Sequence, residues 1–156
     1  MFPSQVLFSC TSKNKSHPPV SEISDSAGRV PVNPVIDLNF PDPTIIKAHD
    51  GHYYVYATNT ELKGKIIHIQ VARSENLVDW EMVGDALPDR PTWADKDFWA
   101  PHVLYDSVTQ TYYLYYSGES VSDTMGKCLG VATSSYPAGP FTDKGTPLIC
   151  GETFEN

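Results

Sequence analysis

The amino-acid sequence predicts an all-β fold built from two similar four-stranded units. Short runs rich in Val, Ile, Thr, Tyr and Phe alternate with polar residues, as strands do. Gly, Pro, Asp and Asn separate these runs, and no window keeps a helical period for long. Four strands per repeat are typical of a β-propeller blade, so we expect the first two blades of a β-propeller.

The first set of strands follows a proline-rich opening. Thr44–Lys47 is an apolar run that ends before the turn signal Asp50-Gly51, and the Tyr-rich run His52–Ala57 follows that turn. Ile66–Ala72 and Trp80–Val83 complete the set, each after a loop that contains Gly or Asn. We expect these four strands to form the first blade.

The second set has the same character. Val103–Tyr105 follows Pro101, and Thr111–Tyr116 is again rich in Tyr. Lys127–Thr133 and Pro140–Asp143 complete this set, which gives eight short strands in all.

Three pairs of segments recur at almost the same spacing. Offsets that agree within two residues are hard to produce by chance, which indicates a true repeat. The pairs are His52–Ala57 with Thr111–Tyr116 (offset 59, from 52 to 111), Val71–Ser74 with Val131–Ser134 (offset 60, from 71 to 131) and Asp42-Pro43 with Ala100-Pro101 (offset 58, from 42 to 100).

Two blades do not close a ring, since the smallest propellers have about four. We therefore expect residues 32–156 to be the first two blades of a longer propeller domain, with the sequence stopping where a third blade would begin. The alternative is a β-sandwich of eight strands without a true repeat, because Tyr-rich hairpins can look self-similar.

Composition excludes several classes of protein. The chain has 156 residues, 40% of them hydrophobic, which is enough for one domain with a core and excludes wholesale disorder. Its net charge of -8 opposes binding to nucleic acid. No apolar run approaches the length needed to span a bilayer.

Residues 1–31 differ from the rest and are interpreted as a signal remnant followed by a polar linker. Leu7–Cys10 resembles the end of a lipoprotein signal, in which Cys10 would receive lipid, although the preceding segment is short and lacks basic residues. We expect a secreted or cell-envelope protein, with an outer-membrane lipoprotein as one form. Cys128 and Cys150 could pair, but we expect each to be a small buried side chain in a strand.

One carboxylate stands out because prolines flank it. Pro41 and Pro43 restrict the backbone of Asp42, and a proline favours extended geometry in the residue before it. A carboxylate held in one direction is suited to catalysis or ligand binding. We expect it to face the propeller axis, although Asp-Pro alone is also a common turn signal.

Five segments in order resemble the first half of glycoside hydrolase family 43, which contains arabinanases, arabinofuranosidases and xylosidases on a five-bladed propeller. The resemblance covers about residues 32–156, and the order and spacing of the segments make it specific. The segments are Phe40–Pro43, Asp50–Thr58, Ser74–Trp80, Phe98–Val103 and Leu129–Phe141.

The resemblance implies hydrolysis with inversion at the anomeric carbon of arabinose- or xylose-containing saccharides. Asp42 matches the general base that activates water, and the base and acid of such enzymes stand roughly 6.5–9.5 Å apart. The family's tuning Asp and general-acid Glu would follow after Asn156. We therefore expect the 156-residue chain by itself to be close to inactive.

Two further residues match substrate-contacting positions of the family. Trp99 matches a Trp that contacts substrate, and sugars stack on such aromatic faces. Asn59 falls where some members place a subsite residue, although a turn is also a good account of it. The adjacent Tyr pairs cannot form one sugar platform, because neighbouring strand residues face opposite sides, and we expect them to pack between the blades instead. No cofactor is implied, and no cluster has metal-ligand spacing.

Other functions compete with the hydrolase. A carbohydrate-binding propeller without catalysis would use the same channel. Related enzymes that act on fructose-containing sugars open with Asn-Asp-Pro, whereas Pro41 precedes Asp42 here. A scaffold propeller for protein partners would not need a carboxylate in the channel.

Overall fold

A computed structural model describes residues 31–122 and 124–151, and within these ranges the regular elements are all β-strands. Cys10 and residues 1–30 of the predicted linker lie outside the described residues. No helix in the described part is long and apolar enough to cross a membrane. The strands are β1 Thr44–Lys47, β2 Tyr53–Ala57, β3 Thr60–Leu62, β4 Lys65–Ile67, β5 Gln70–Ser74, β6 Glu81–Asp85, β7 Ala94–Asp106, β8 Thr111–Ser120, β9 Lys127–Ser134, β10 Thr142–Asp143 and β11 Ile149–Cys150.

The first sheet has the order β1-β2-β5-β6, and its neighbours are antiparallel. The predicted single strand Ile66–Ala72 is wrong in one respect, because it is divided between β4 and β5. The Asp85 carboxylate accepts hydrogen bonds from the backbone N–H groups of His68 and Ile69 at 2.9 and 3.0 Å. These donors therefore bind a side chain at the break between the two strands, and β4 pairs with β3 in a separate hairpin.

The second sheet repeats this arrangement with the order β7-β8-β9-β10, to which β11 is added. Both β10 and β11 pair with β9, β10 near its end and β11 near its start. The first strand is much longer than the predicted Val103–Tyr105, because β7 continues back to Ala94 through several register shifts. The two predicted sets of four strands thus lie in two separate antiparallel sheets.

Aromatic side chains fill the core between the sheets, as predicted for the Tyr-rich strands. Tyr56, Tyr112 and Tyr116 are fully buried. The hydroxyl of Tyr56 donates to the Pro137 carbonyl at 2.5 Å, which satisfies its polar end within the core. Trp93 stacks on Tyr116 with ring centroids 5.9 Å apart.

The expectation that Cys128 and Cys150 remain separate thiols is wrong, because they form a disulfide. No local pattern predicts β11, which pairs with β9 and sets Cys150 directly opposite Cys128. Their Cα atoms are 3.9 Å apart. The disulfide therefore fastens β11 to the start of β9.

Candidate active site

The register of the strands brings the candidate residues to one end of the two sheets, which we name the Asp42 end. Asp42 precedes β1, and Thr58 follows β2, which runs antiparallel to β1. In the second sheet, the start of β7 and the start of β9 lie together, since Trp99 pairs with Ser117 and Lys127 pairs with Glu119. The Ala100 N–H donates to the Thr58 hydroxyl, which places this part of the second sheet at the same end. Residues far apart in sequence therefore meet there.

Asp42 has a left-handed backbone with φ of 52°, so the predicted extended geometry is wrong. Such a conformation is uncommon for a residue other than glycine and persists only where its surroundings fix it. Here the Thr58 hydroxyl donates to Asp42 Oδ2 at 2.9 Å, and the Thr58 N–H donates to the Pro41 carbonyl at 3.1 Å. The remainder of the Asp42 side chain is exposed to solvent.

Thr58 is itself held by a buried polar network that sequence reasoning missed. The Gln70 amide is 1% exposed and donates to the carbonyls of Thr58 and Asn39 at 2.7 and 3.0 Å. The Thr58 hydroxyl also accepts the backbone N–H of Ala100 at 3.0 Å. A signal for this network was present, because Gln70 is a polar residue between the apolar residues Ile69 and Val71.

Trp99 lies at the Asp42 end and is 41% exposed. It directly precedes Ala100, whose N–H contacts the same Thr58 hydroxyl that binds Asp42. The ammonium group of Lys127 lies 3.8 Å from the centroid of its indole ring. The structure therefore brings an accessible aromatic ring to the same end as the carboxylate.

Asn59 follows Thr58 and lines a cleft of about 450 Å³ together with His68, Arg90 and Asp95. Its backbone N–H donates to the Phe98 carbonyl at 2.9 Å, so the residue is fixed to β7. Its side-chain Oδ1 is buried and has no hydrogen-bond partner. Because that oxygen is enclosed by protein, other atoms of Asn59 form its part of the cleft wall.

His68 lies along one side of this cleft with its Nδ1 3.1 Å from Asp85 Oδ2, and the two form a partly buried ion pair when the imidazole is protonated. Burial raises the pKa of Asp85, but hydrogen bonds from the His68 side chain and from backbone N–H groups outweigh it and lower that pKa. The hydrogen bond to Asp85 raises the pKa of His68 against the effect of burial. The pair stabilises the wall of the cleft.

Residues 31–122 and 124–151 contain no candidate metal site. No group of three or more His, Cys, Asp or Glu side chains there could hold a metal ion. The site therefore consists of one fixed carboxylate, one exposed indole and one polar cleft.

Several known proteins are similar to this chain. An arabinan endo-1,5-alpha-L-arabinosidase C of Emericella nidulans is 34% identical over 103 residues, which cover 64% of this chain and 30% of that protein. An extracellular endo-alpha-(1->5)-L-arabinanase of Thermotoga petrophila is 28% identical over 129 residues, which cover 72% of this chain and 25% of that protein. The chain thus spans less than a third of the length of these relatives.

A solved structure is similar to this chain in fold. It is a family 43 beta-xylosidase/alpha-arabinofuranosidase from a compost microbial metagenome in complex with xylotriose, in a calcium-free form. Its TM-score is 0.61 at 25% identity, over 73% of this chain and 37% of that one. The family model described as glycosyl hydrolases family 43 matches residues 31–154. The chain therefore belongs to glycoside hydrolase family 43.

Proposed function

We propose that the protein is an inverting glycoside hydrolase acting on arabinose- or xylose-containing polysaccharides or oligosaccharides, with Asp42 as general base. The observation that carries the proposal is the Asp42 carboxylate, which is held at the end of the sheets by the Thr58 hydroxyl at 2.9 Å. The relatives named for arabinan and the structure that holds xylotriose support the substrate class.

The geometry around Asp42 suits the activation of water. One carboxylate oxygen accepts a hydrogen bond from Thr58, and the exposed remainder of the side chain is open to a water molecule and a substrate. A base must lie within hydrogen-bond reach of the water whose proton it takes. Inversion requires the acid to stand on the opposite side of the scissile bond, with room for that water between them.

The acid and the carboxylate that tunes it are expected in parts of the family domain other than the two sheets described. We propose that these sheets are the first two blades of a five-bladed propeller and that residues 1–31 are a signal remnant and linker. In such a ring the other blades surround the axis that Asp42 is proposed to face, and they would supply the acid and the tuning carboxylate. The chain of 156 residues is accordingly expected to be nearly inactive by itself.

Substrate contact is proposed for Trp99 and Asn59. The exposed indole offers a stacking surface, and Asn59 forms part of the wall of the cleft of about 450 Å³. We expect the protein to be secreted or in the cell envelope, since one relative is named extracellular and the disulfide suits an oxidising compartment.

The proposal is tested in the complete protein that carries this chain. Asp42→Asn should abolish hydrolysis of aryl arabinofuranoside or xyloside with the fold intact by circular dichroism. Asp106→Asn is the matched control, because Asp106 is a carboxylate at the opposite end of β7, where it accepts from Val108 and Thr109. Nuclear magnetic resonance of the first product should show inverted anomeric configuration. Near-normal turnover by Asp42→Asn would end the assignment.

A carbohydrate-binding protein without catalysis is the second candidate. The exposed Trp99 and the cleft beside Asn59 are equally suited to binding alone. Calorimetry with arabinotriose and xylotriose separates the two functions. Binding by the wild-type protein without release of reducing sugar would favour the binding protein.

A further inference from the structure

A lysine lies over the indole proposed to contact sugar. Lys127 Nζ is 3.8 Å from the centroid of the Trp99 ring, well within the range of a cation–π contact. The indole nevertheless remains 41% exposed. The ammonium group therefore covers part of the ring and leaves other parts accessible.

Two carboxylates fix the ammonium group in this position. Lys127 Nζ lies 2.5 Å from Asp97 Oδ2 and 2.9 Å from Glu119 Oε2. Burial lowers the pKa of Lys127, but these hydrogen bonds outweigh it and raise that pKa, so the group is charged at neutral pH. Asp97 has a left-handed backbone with φ of 58°, which the surrounding structure has to maintain.

The backbone of Lys127 is also held on both sides. Lys127 pairs with Glu119 across β8 and β9, and its carbonyl accepts the Gly151 N–H at 2.8 Å. The next residue, Cys128, is joined to Cys150 by the disulfide. A side chain that starts from a fixed backbone and ends in two ion pairs has little freedom to move.

We propose that Lys127 is a positioning residue that holds the Trp99 indole as a stacking platform for a pentose ring of the substrate. This rests on the proposed function of the site. A ring fixed before binding loses less conformational freedom when the sugar stacks on it. Because the ammonium covers part of the ring, it also limits which surface of the indole a sugar can use.

The test compares variants of the complete protein that carries this chain. Lys127→Met keeps most of the side-chain stem but removes the charge, and we expect KM for arabinotriose or xylotriose to rise about fivefold to tenfold with kcat nearly unchanged. Lys127→Arg should recover most of the loss. Lys47→Met is the control, because Lys47 Nζ lies 5.3 Å from the Tyr53 ring at the opposite end of the first sheet.

An unchanged KM in Lys127→Met would overturn the proposal. A fall in kcat as large as the rise in KM, not recovered by Lys127→Arg, would also overturn the proposal, since that result would indicate a general structural role for Lys127. If the wild-type protein hydrolyses neither oligosaccharide, the hydrolase function fails, and the dissociation constant from calorimetry replaces KM. Absence of any binding by the wild-type protein would then overturn the platform as well.

A second measurement does not depend on sugar. Acrylamide quenching of the Trp99 fluorescence, obtained by difference from Trp99→Phe, should increase in Lys127→Ala, which removes both the ammonium group and the stem that carries it over the ring. Quenching identical to that of the wild-type protein would contradict the contact itself. Quenching therefore tests the contact between Lys127 and Trp99, and the kinetic experiment tests whether that contact contributes to substrate binding.

Discussion

Asp42 and Ala100 occupy equivalent places in the two sheets and have nearly the same backbone. Their φ angles are 52° and 45°, and a proline follows each. The Thr58 hydroxyl contacts both, since it donates to the Asp42 carboxylate and accepts the Ala100 N–H. The left-handed backbone is thus common to both copies of the repeat, whereas the carboxylate is present in the first copy only.

Two other pairs of equivalent residues also have a polar role in the first sheet and an aromatic environment in the second. Gln70 and Gly130, 60 residues apart (70 and 130), are both in the third strand of their four-stranded repeats. The Gln70 amide donates to the carbonyl of Thr58, whose hydroxyl binds Asp42, and to the carbonyl of Asn39. Gly130 leaves space for aromatic rings instead, because a Cβ there would lie 2.5 Å from Trp93.

The outer strands also end alike. Asp85 and Asp143 each accept the backbone N–H two residues later, at 3.0 and 2.6 Å. Asp85 then pairs with His68, whereas Asp143 accepts the Tyr116 hydroxyl and the Trp93 indole N–H. One repeat unit therefore supports a polar site in the first sheet and an aromatic core in the second.

The largest expected effect on stability concerns the disulfide of the second sheet. Cys128→Ala with Cys150→Ala should lower the free energy of unfolding by roughly 2–5 kcal/mol, because the cross-link restricts the unfolded chain. Urea denaturation measures it. Reductant should shift the wild-type midpoint by a similar amount and leave the double variant unchanged. A wild-type midpoint in the double variant would show that the bond does not stabilise this sheet.

Gly130→Ala tests the packing that distinguishes Gly130 from Gln70. The added methyl group would lie 2.5 Å from Trp93 and 2.7 Å from Tyr116, so unfolding should become easier by about 1–3 kcal/mol. Gly118→Ala is the control, because its nearest contact would be 3.0 Å from Ala94 and a smaller loss is expected. Equal losses in the two variants would argue against this packing.

Thr58→Val tests the contact shared by Asp42 and Ala100. Without the hydroxyl the carboxylate loses its hydrogen bond, and we expect kcat of the complete protein to fall about tenfold, equivalent to about 1.4 kcal/mol in activation free energy. Thr111→Val removes a hydroxyl that donates to the Thr109 carbonyl at the opposite end, and it should leave kcat unchanged. Wild-type kcat in Thr58→Val would remove Thr58 from the site.

The smallest effect is the pH dependence of the His68 and Asp85 pair. The lowered pKa of Asp85 gives stability that is present above its unfolded value of 3.8 and is lost as pH falls through the folded pKa. The raised pKa of His68 gives stability that is present below its unfolded value of 6.5 and is lost as pH rises through the folded pKa. The thermal midpoint should therefore fall both at acidic pH, where Asp85 is protonated, and at higher pH, where His68 loses its proton. His68→Gln should lack the fall at higher pH.

Sequence patterns predicted the features that repeat and missed those that depend on distant partners. β1 has its predicted bounds, and the Tyr-rich runs form the second strand of each sheet, because alternation is a local signal. The start of β7 and all of β11 were missed. Both depend on pairing with β8 or β9, which no local pattern reports.

The same limit applies to the site. Proline flanks drew attention to Asp42 but predicted the wrong backbone. The equivalent Ala100 has the same left-handed backbone without a carboxylate, so the conformation belongs to the repeat and not to the hydrogen bond between Thr58 and Asp42. The pairing of Asp97 and Glu119 with Lys127 arises only where three strands come together. Catalytic and substrate-contacting roles for Asp42, Trp99 and Asn59 stay predictions.

The most direct test measures hydrolysis by two variants, Asp42→Asn and Ala100→Asn. Both place the same amide at equivalent backbone positions, so they separate the role of the Asp42 carboxylate from that of the shared backbone. In the complete protein we expect kcat on an aryl arabinofuranoside to fall by roughly 10²–10⁴-fold in Asp42→Asn and to change little in Ala100→Asn. Equal losses in the two variants, or wild-type kcat in Asp42→Asn, would contradict the account.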